Sequence, residues 1–344
     1  MAQDYRVALI AIASNEGAYL AQFVFHHLRM GFAPIILITN NSEDDTAAMA
    51  ARMGERLPDV HHLDGDPLIG TVPAKKFQNT AYAVALDLIA NFSLKPDYAM
   101  FLDIDEYWVP LSGDSTVSEY IGRHGAPDTM MFNWVAPFKD AAPFSLPFIS
   151  EFQGYPWPNL KTIWRFGMKI TGFNPHNVQS NEIQNEFIAS GQALTSRSRT
   201  QTYPRHPGNA LVIHQMFRSL SEYLAVLDRG NPDDELIFKS NRPGYRFPIK
   251  SQVAVDLHID PKFCTHWHDD FLIWLDDIQL KQMLISGRFN VVHRAVRALK
   301  KYEMLSEEER APYANAFRFV DFDAVRAEIA ELLADPDGRI ARIP

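Results

Sequence analysis

Residues 98–108 read Tyr98-Ala99-Met100-Phe101-Leu102-Asp103-Ile104-Asp105-Glu106-Tyr107-Trp108, an apolar run that ends in three carboxylates. Tyr98 to Leu102 have the length and composition of a short buried strand. Three acids at its carboxyl end are costly beside an apolar core unless a positive charge meets them. Asp-x-Asp brings both side chains near one point where a strand breaks into a loop, and hard oxygen ligands suit Mg²⁺ or Mn²⁺ carrying a phosphate. An isolated Asp-x-Asp reads more readily as a solvated acidic loop, so the surrounding sequence has to discriminate.

Upstream, apolar runs alternate with helical periodicity. Val7–Ala13 reads as a strand, and Leu20, Phe23, Val24, His27 and Leu28 as a helix ending near Gly31. Ile35–Thr39 is a second strand, followed by the turn Asn40–Thr46 and a helix to about Met53. Val60–Leu63 is a third strand, and Phe77, Ala81, Val84 and Leu88 recur at the helix period ahead of the strand ending at Asp103. This order predicts an α/β fold with a mainly parallel, Rossmann-like sheet flanked by helices and ligands at the carboxyl ends of its strands. Asn15-Glu16, Asn40-Asn41 and Asp103/Asp105 occupy such ends. From Leu111 to Arg205 the chain is rich in Pro, Phe and Trp, and reads as loops and short strands covering the rim. Ala210–His214 is a strand, and Ser219 with Glu222 forms a capping box for the helix that Arg229-Gly230 closes. Helical patterns at Phe271–Leu284, Val291–Tyr302 and Phe322–Leu333 make 231–344 a mostly helical region after a domain at 1–230.

The chain has 344 residues, 47% hydrophobic and 12% aromatic, enough for a full core, so disorder is excluded. A formal net charge of −9 argues against a sequence-independent nucleic-acid binder, which needs a basic footprint. With Cys264 as the single cysteine there is no intrachain disulfide. Polar Ser14-Asn15-Glu16 follows the first apolar run at once, unlike a signal peptide, and no segment has the length of a membrane span. The expected location is cytoplasmic, with peripheral contact to a membrane-bound acceptor left open.

Taken in order, these clusters resemble the family-2-like glycosyltransferases of GT-A fold, in the branch whose strand ends Phe-Leu-Asp-x-Asp-Glu. The matching positions are Asn15-Glu16-Gly17, His27, Asn40-Asn41-Ser42 with Asp45 and Thr46, Gln78 and Ala81-Tyr82, and Asp103-Ile104-Asp105-Glu106. Lys161, Arg165, His176, His214, Arg218-Ser219 and Arg229-Gly230 continue the series. Thr39 and Gln215 stand where relatives have an Asp and an aromatic. The resemblance implies a metal-dependent hexosyl transfer from a nucleotide-sugar, UDP-sugar first, to a glycan, lipid-linked or other hydroxyl acceptor. It implies Mn²⁺ or Mg²⁺ held by Asp103, Asp105 and His214, and a nucleotide met by Asn15, Glu16, Asn41, Asp45, Gln78, Asp103 and Arg218.

Such a transfer places negative charge on the leaving diphosphate and positive character on the sugar. A metal on Asp105, with Asp103 at the ribose or a metal-bound water, would stabilise the former. His214 is otherwise a satisfied histidine at a strand end, and Arg218 either a phosphate contact at a helix N-terminus or a surface arginine. Trp134 and Trp157 are sugar-stacking candidates or core residues, and His176 is a further substrate candidate without a role. Asp140 and Glu151 are the candidate general bases. His27, on an apolar stripe, reads as a packing residue. Two other classes compete. His266-Trp267-His268-Asp269-Asp270 suits a zinc-dependent hydrolase or a helix cap. The substitutions Thr39 and Gln215 also fit a non-catalytic sugar-nucleotide-binding protein.

Overall fold

The computed structural model describes residues 4–93, 95–113, 115–138, 141–194, 206–230, 236–246 and 253–342. The first half runs β1 (Val7–Ala13), α1 (Leu20–Arg29), β2 (Phe32–Thr39), α2 (Thr46–Arg56), β3 (Val60–Asp64), α3 (Phe77–Ala90), β4 (Tyr98–Phe101), β5 (Glu106–Pro110) and α4 (Val117–Arg123). It continues with β6 (Thr129–Pro137), β7 (Glu151–Arg165), β8 (Ile170–Phe173), β9 (Val178–Ser180), β10 (Glu186–Ile188), β11 (Ala210–His214), α5 (Leu220–Leu227) and β12 (Val255–His258). The described chain then ends in α6 (Pro261–Asp277), α7 (Lys281–Met304), α8 (Glu307–Arg310) and α9 (Phe322–Ala334).

The main sheet has the order β3-β2-β1-β4-β7-β6-β11-β5. Its first four strands are parallel, as the alternation of strands and helices requires. Beyond β4 it is mixed: β7 is antiparallel to both β4 and β6, β11 is parallel to β6, and β5 is antiparallel to β11. Both faces are covered. Val7, Leu9 and Ala11 enter the larger core, while Ala8 and Ile10 enter the smaller core under α3, so the period-2 alternation of a strand divides β1 between two apolar layers.

Only residues 102–105 separate β4 from β5, yet three strands lie between these two in the sheet. A flat sheet would put them about 19 Å apart at ~4.8 Å per strand. Five Cα steps reach only about 17 Å, and the bond from Glu106 N–H to Asp103 O, 2.9 Å, shortens the link further. The sheet therefore curls, and its β11/β5 end swings back toward β4. The ends of β4 and β11 come together on the same rim for that reason.

Three expectations need correction. The segment after Leu111, expected as loops and short strands covering the rim, contributes β6 and the 15-residue β7, two central strands of the sheet. On α3 the buried stripe is Ala81, Tyr82, Ala85 and Ile89, whereas Val84 is exposed. The first C-terminal helix begins at Pro261, ten residues before Phe271, capped by Asp260, whose carboxylate accepts from Lys262 N–H at 2.7 Å.

The C-terminal helices share the larger core with β1 and α1, α6 packing on α1 and α7 on α5. At Gly287 of α7 an added Cβ would lie 2.4 Å from the carbonyl carbon of Gly17 and 2.5 Å from Ala18 N. The helix thus touches the backbone of the loop after β1, an approach only glycine permits. Among the described residues no helix is long and apolar enough to cross a membrane.

Candidate functional site

The rim is built from the carboxyl ends of β1, β4 and β11 and the start of α5. β11 delivers His214 opposite Glu106 of β5, and the N–H of Gln215 donates to Asp105 O at 2.8 Å, which ties the acid loop to the strand end. His214 Nε2 lies 3.4 Å from Asp105 Oδ2. Burial acts most strongly on Asp105 and pushes its carboxyl up, but His214, Arg218 and Arg242 together outweigh it and hold the group ionised, well below the usual range.

Asp103 faces a different partner. Lys161 of β7 is fully buried with its ammonium 2.7 Å from Glu106 Oε2 and 3.6 Å from Asp103 Oδ2. Glu106 Oε2 also accepts from Asp103 N–H at 2.8 Å. Burial opposes charge on both members of the pair. Asp103 and Glu106 nevertheless hold the ammonium above its ordinary range, and a contact of 2.7 Å favours the ionised pair although burial pushes Glu106 upward. The positive charge that the carboxylate run demanded is thus, in part, an internal lysine.

Arg218 has a left-handed backbone (φ 51°) just before the Ser219 cap of α5. Its guanidinium stacks 3.3 Å from the centre of the Tyr19 ring and lies 3.7 Å from Glu16 Oε2. Glu16 is pushed up by burial against the pull of Arg218 and Arg229. Beside Arg218 opens a cavity of about 230 Å³ whose wall includes Tyr19, Tyr107, Pro147, Phe152, Gln215 and Glu222. Glu222 is a cap as the sequence indicated, its carboxylate accepting from Ser219 N–H and from the Tyr19 hydroxyl at 2.8 Å.

The remaining expected residues fall as follows. Asn15 (φ 56°) accepts from Glu43 N–H at 2.7 Å through its side chain and holds the turn after β2. Asn41 is exposed, with its N–H on Asp66 at 2.6 Å. Asp45 is the residue preceding α2 and makes no side-chain cap bond. Gln78 donates to the hydroxyl of Tyr82, which stacks on Phe101 at 4.0 Å. Trp134 is buried, its ring 4.4 Å from His214 and 4.8 Å from His176, with Lys161 on its face at 5.6 Å. Trp157 is half-buried and packs on the core. His176 is pushed down to about 4 by burial and by Lys161. Glu151 is exposed and 3.8 Å from His258, on the opposite side of β7 from Phe152 at the cavity. Asp140 lies outside the described residues. Thr39 meets His62 Nε2 at 2.7 Å. His27 is buried, with Nδ1–H donating to Phe23 O.

Asp105 and His214 fit a divalent cation as two adjacent ligands, because ligands ~2.1 Å from one ion at right angles lie about 3 Å apart. Asp103 is engaged by Lys161 at 3.6 Å, and among the described residues no three such side chains converge. An ion here would take its other ligands from water and phosphate, as Mg²⁺ does. His266 and His268 sit on α6, where residues two apart point about 200° from each other. They cannot share one ion on that helix.

Sequence reasoning did not assign roles to Lys161, Lys239, Arg242 or Arg294. A signal existed for the first: Lys161 interrupts the otherwise uncharged run Leu160-Lys161-Thr162-Ile163-Trp164, and a lysine in a fully buried strand needs an acid. Arg294 of α7 is buried and donates to Asn15 O at 3.4 Å and to Ala225 O. No family model matches the chain, and no curated protein matches it. Among solved structures, HddC from Yersinia pseudotuberculosis is 9% identical, covering 61% of this chain and 93% of that one, with a TM-score of 0.32. A likeness that low carries no argument about fold or chemistry.

Proposed function

We propose that the chain is a GT-A-like, metal-dependent glycosyltransferase that moves a sugar from a nucleotide diphosphate, UDP-sugar being the first donor to test, to a hydroxyl acceptor. The observation that carries this reading is the pairing of Asp105 with His214 at 3.4 Å on the curled rim, with Arg218 beside them. Two residues more than a hundred positions apart supply a carboxylate and an imidazole at one point, next to a cation able to face phosphate.

Asp105 and His214 would hold Mn²⁺ or Mg²⁺, which when bound supplies Lewis-acid stabilisation of the leaving diphosphate. In the transfer the bond from the anomeric carbon to the phosphate oxygen breaks, the acceptor oxygen bonds that carbon, and the acceptor proton passes to a base. Arg218 places a second, permanent positive charge near the leaving group. Lys161 fixes the loop: by neutralising Glu106 and engaging Asp103 it leaves Asp105 as the acid free to bind. The cavity beside Arg218 is the place for the acceptor, and its mostly apolar wall suits a lipid-linked or otherwise amphiphilic hydroxyl compound.

The test is calorimetric titration of UDP with and without Mn²⁺, together with release of UDP from UDP-sugars. Binding that requires the metal in the wild type and disappears in Asp105→Asn supports the reading. Equal binding without metal, or no binding of any nucleotide across a donor panel, rejects it.

A further inference from the structure

We infer that the C-terminal segment 335–342 is a strap that governs how wide the cavity beside Arg218 opens, acting through Arg288 of α7 and Phe144 of the cavity-wall loop 141–149. Such a strap acts on any occupant of the cavity, so its existence is independent of sugar transfer.

The strap is thinly attached. It leaves α9 through a wide turn at Pro336–Ile340, and of its residues only Ile340 is buried. Two of its bonds merely close the turn, from Gly338 N–H to the Asp335 carboxylate at 2.9 Å and from Ala341 N–H to Pro336 O at 2.9 Å. Arg339 pairs with Glu331 of α9 at 2.7 Å, but both side chains are exposed. The polar link to α7 is Arg288, whose Nη1 donates to Ile340 O at 3.2 Å and to Arg342 O at 3.1 Å. A segment with so few buried contacts opens locally at a free energy well below that of global unfolding.

Arg288 is only half satisfied where it stands. Its side chain is fully buried, yet among the described residues no carboxylate pairs with it, and Nε and Nη2, the donors along one edge of the guanidinium, have no hydrogen-bond partner. Burial lowers it to about 10, so it remains charged at neutral pH. A buried charge without a counter-ion is unfavourable, and lifting the strap lets water reach it. The guanidinium lies 5.2 Å from the centre of the Phe144 ring, within the range of a cation–π contact. Phe144 is constrained in turn. Its backbone is left-handed at φ 57°, an outlier for a bulky side chain, and it is held by its buried ring and by its N–H, which donates to Glu222 Oε2 at 3.3 Å. Glu222 walls the cavity, as do Ala142, Ser145, Leu146 and Ile149 on either side of Phe144. Strap, guanidinium, ring and cavity wall thus touch one after another, and the two least favourable features of that series, the unpartnered donors and the left-handed backbone, meet at Arg288 and Phe144. With the strap seated the loop is pinned and the cavity narrow. With it lifted, Arg288 loses its carbonyls, Phe144 loses its support, and the loop relaxes away from Tyr19 and Gln22.

The test uses the full chain and no nucleotide, so its failure and that of the transferase reading are separate events. Cys264 is the single cysteine, and Gln22, 3% exposed, lines the cavity. In a Cys264→Ser background, Gln22→Cys therefore places one thiol behind the loop, and its alkylation by fluorescein maleimide reports opening. Hydrogen exchange read by mass spectrometry follows 141–149 and 335–342 in parallel. Ile340→Asp, which ejects the strap, is expected to raise both the alkylation rate and the exchange of 141–149 by about tenfold or more, as loss of hydrogen bonds to a charged group does. Adding Phe144→Leu, which keeps an apolar anchor but removes the aromatic face, should cut that response to about twofold or less, because the two sites are then uncoupled. Melting curves establish that each variant is folded, and Ile340→Ser substitutes if Ile340→Asp is not. Faster exchange in 335–342 with an unchanged loop and thiol overturns the inference, and so does a loop response undiminished by Phe144→Leu or a strap already unprotected in the wild type.

Discussion

Replacing Lys161 by Met should destabilise the protein by about 3 kcal/mol at pH 7, and the loss should shrink as the pH falls. The Lys161 ammonium and Glu106 Oε2 are 2.7 Å apart with both side chains at 0% exposure. Removing one member of such a pair costs about 3–5 kcal/mol when the other charge is stranded. Glu106 can avoid being stranded by folding in its protonated form. Starting from an ordinary value of 4.5, protonating it at pH 7 costs about 1.36 kcal/mol over each of about 2.5 pH units, roughly 3.4 kcal/mol, which caps the loss. Asp103 is 39% exposed and solvent screens its share.

The sign follows from linkage. In the variant Glu106 has a folded-state pKa raised above its unfolded value, so the folded state binds the extra proton and stability is lost as pH rises above about 4.5. Urea unfolding followed by tryptophan fluorescence at pH 5, 6 and 7 measures this directly. The gap to wild type should widen by about 1.4 kcal/mol per pH unit. The double variant Lys161→Met/Glu106→Gln should recover much of the loss and show no such slope. A deficit under about 1 kcal/mol at pH 7, or one equal at pH 5 and pH 7, would refute the account of Lys161 as the counter-ion of the acid loop.

His214→Ala should lower donor turnover at least tenfold while shifting the melting temperature by only a few degrees, since losing one ligand costs a few kcal/mol of transition-state stabilisation. An equally active variant at saturating Mn²⁺ would remove His214 from the site. His26, with Nε2–H donating to Trp108 O at 2.7 Å, is pushed down to about 3 by burial, and His27 is lowered by the same cause. Both fold neutral, so the unfolded chain binds more protons below about 6.5 and stability is lost as pH falls from there toward 3. Denaturation between pH 6 and 4 should show a slope above two protons, because His176, pushed down to about 4, adds to the pair, and His27→Gln, if folded, should reduce the slope by one. Gly287→Ala sets a Cβ 2.4 Å from the Gly17 carbonyl carbon. It should cost about 1–3 kcal/mol by overpacking and weaken nucleotide binding through the displaced Asn15 loop, as melting and calorimetry would show.

The first four strands and three helices were legible because each carries an unbroken apolar run, as in Val7–Ala13, or a helical period, as in Leu20–Arg29. β7 was not, since Gly154, Pro156 and Pro158 break its pattern. Pro156 is tolerated opposite Val135 beside the point where the β6–β7 register shifts. The convergence of Asp105 and His214 was expected from the order of motifs, but the partition of the acids was not. Sequence spacing shows three carboxylates in four residues, whereas only the sheet order reveals that Lys161 emerges beneath two of them.

The four residues joining β4 to β5 span the mouth of the curled sheet like a chord across an arc, and a chord that short has no slack. Any flattening of the arc must pull on Asp103 and Asp105, so the carboxylates cannot shift independently of the β-scaffold. Positional accuracy at the rim is thereby inherited from the curvature of the whole sheet and does not depend on local packing around the loop alone. One inserted residue would leave every strand in place, and yet slacken the tether that fixes where the two acids stand.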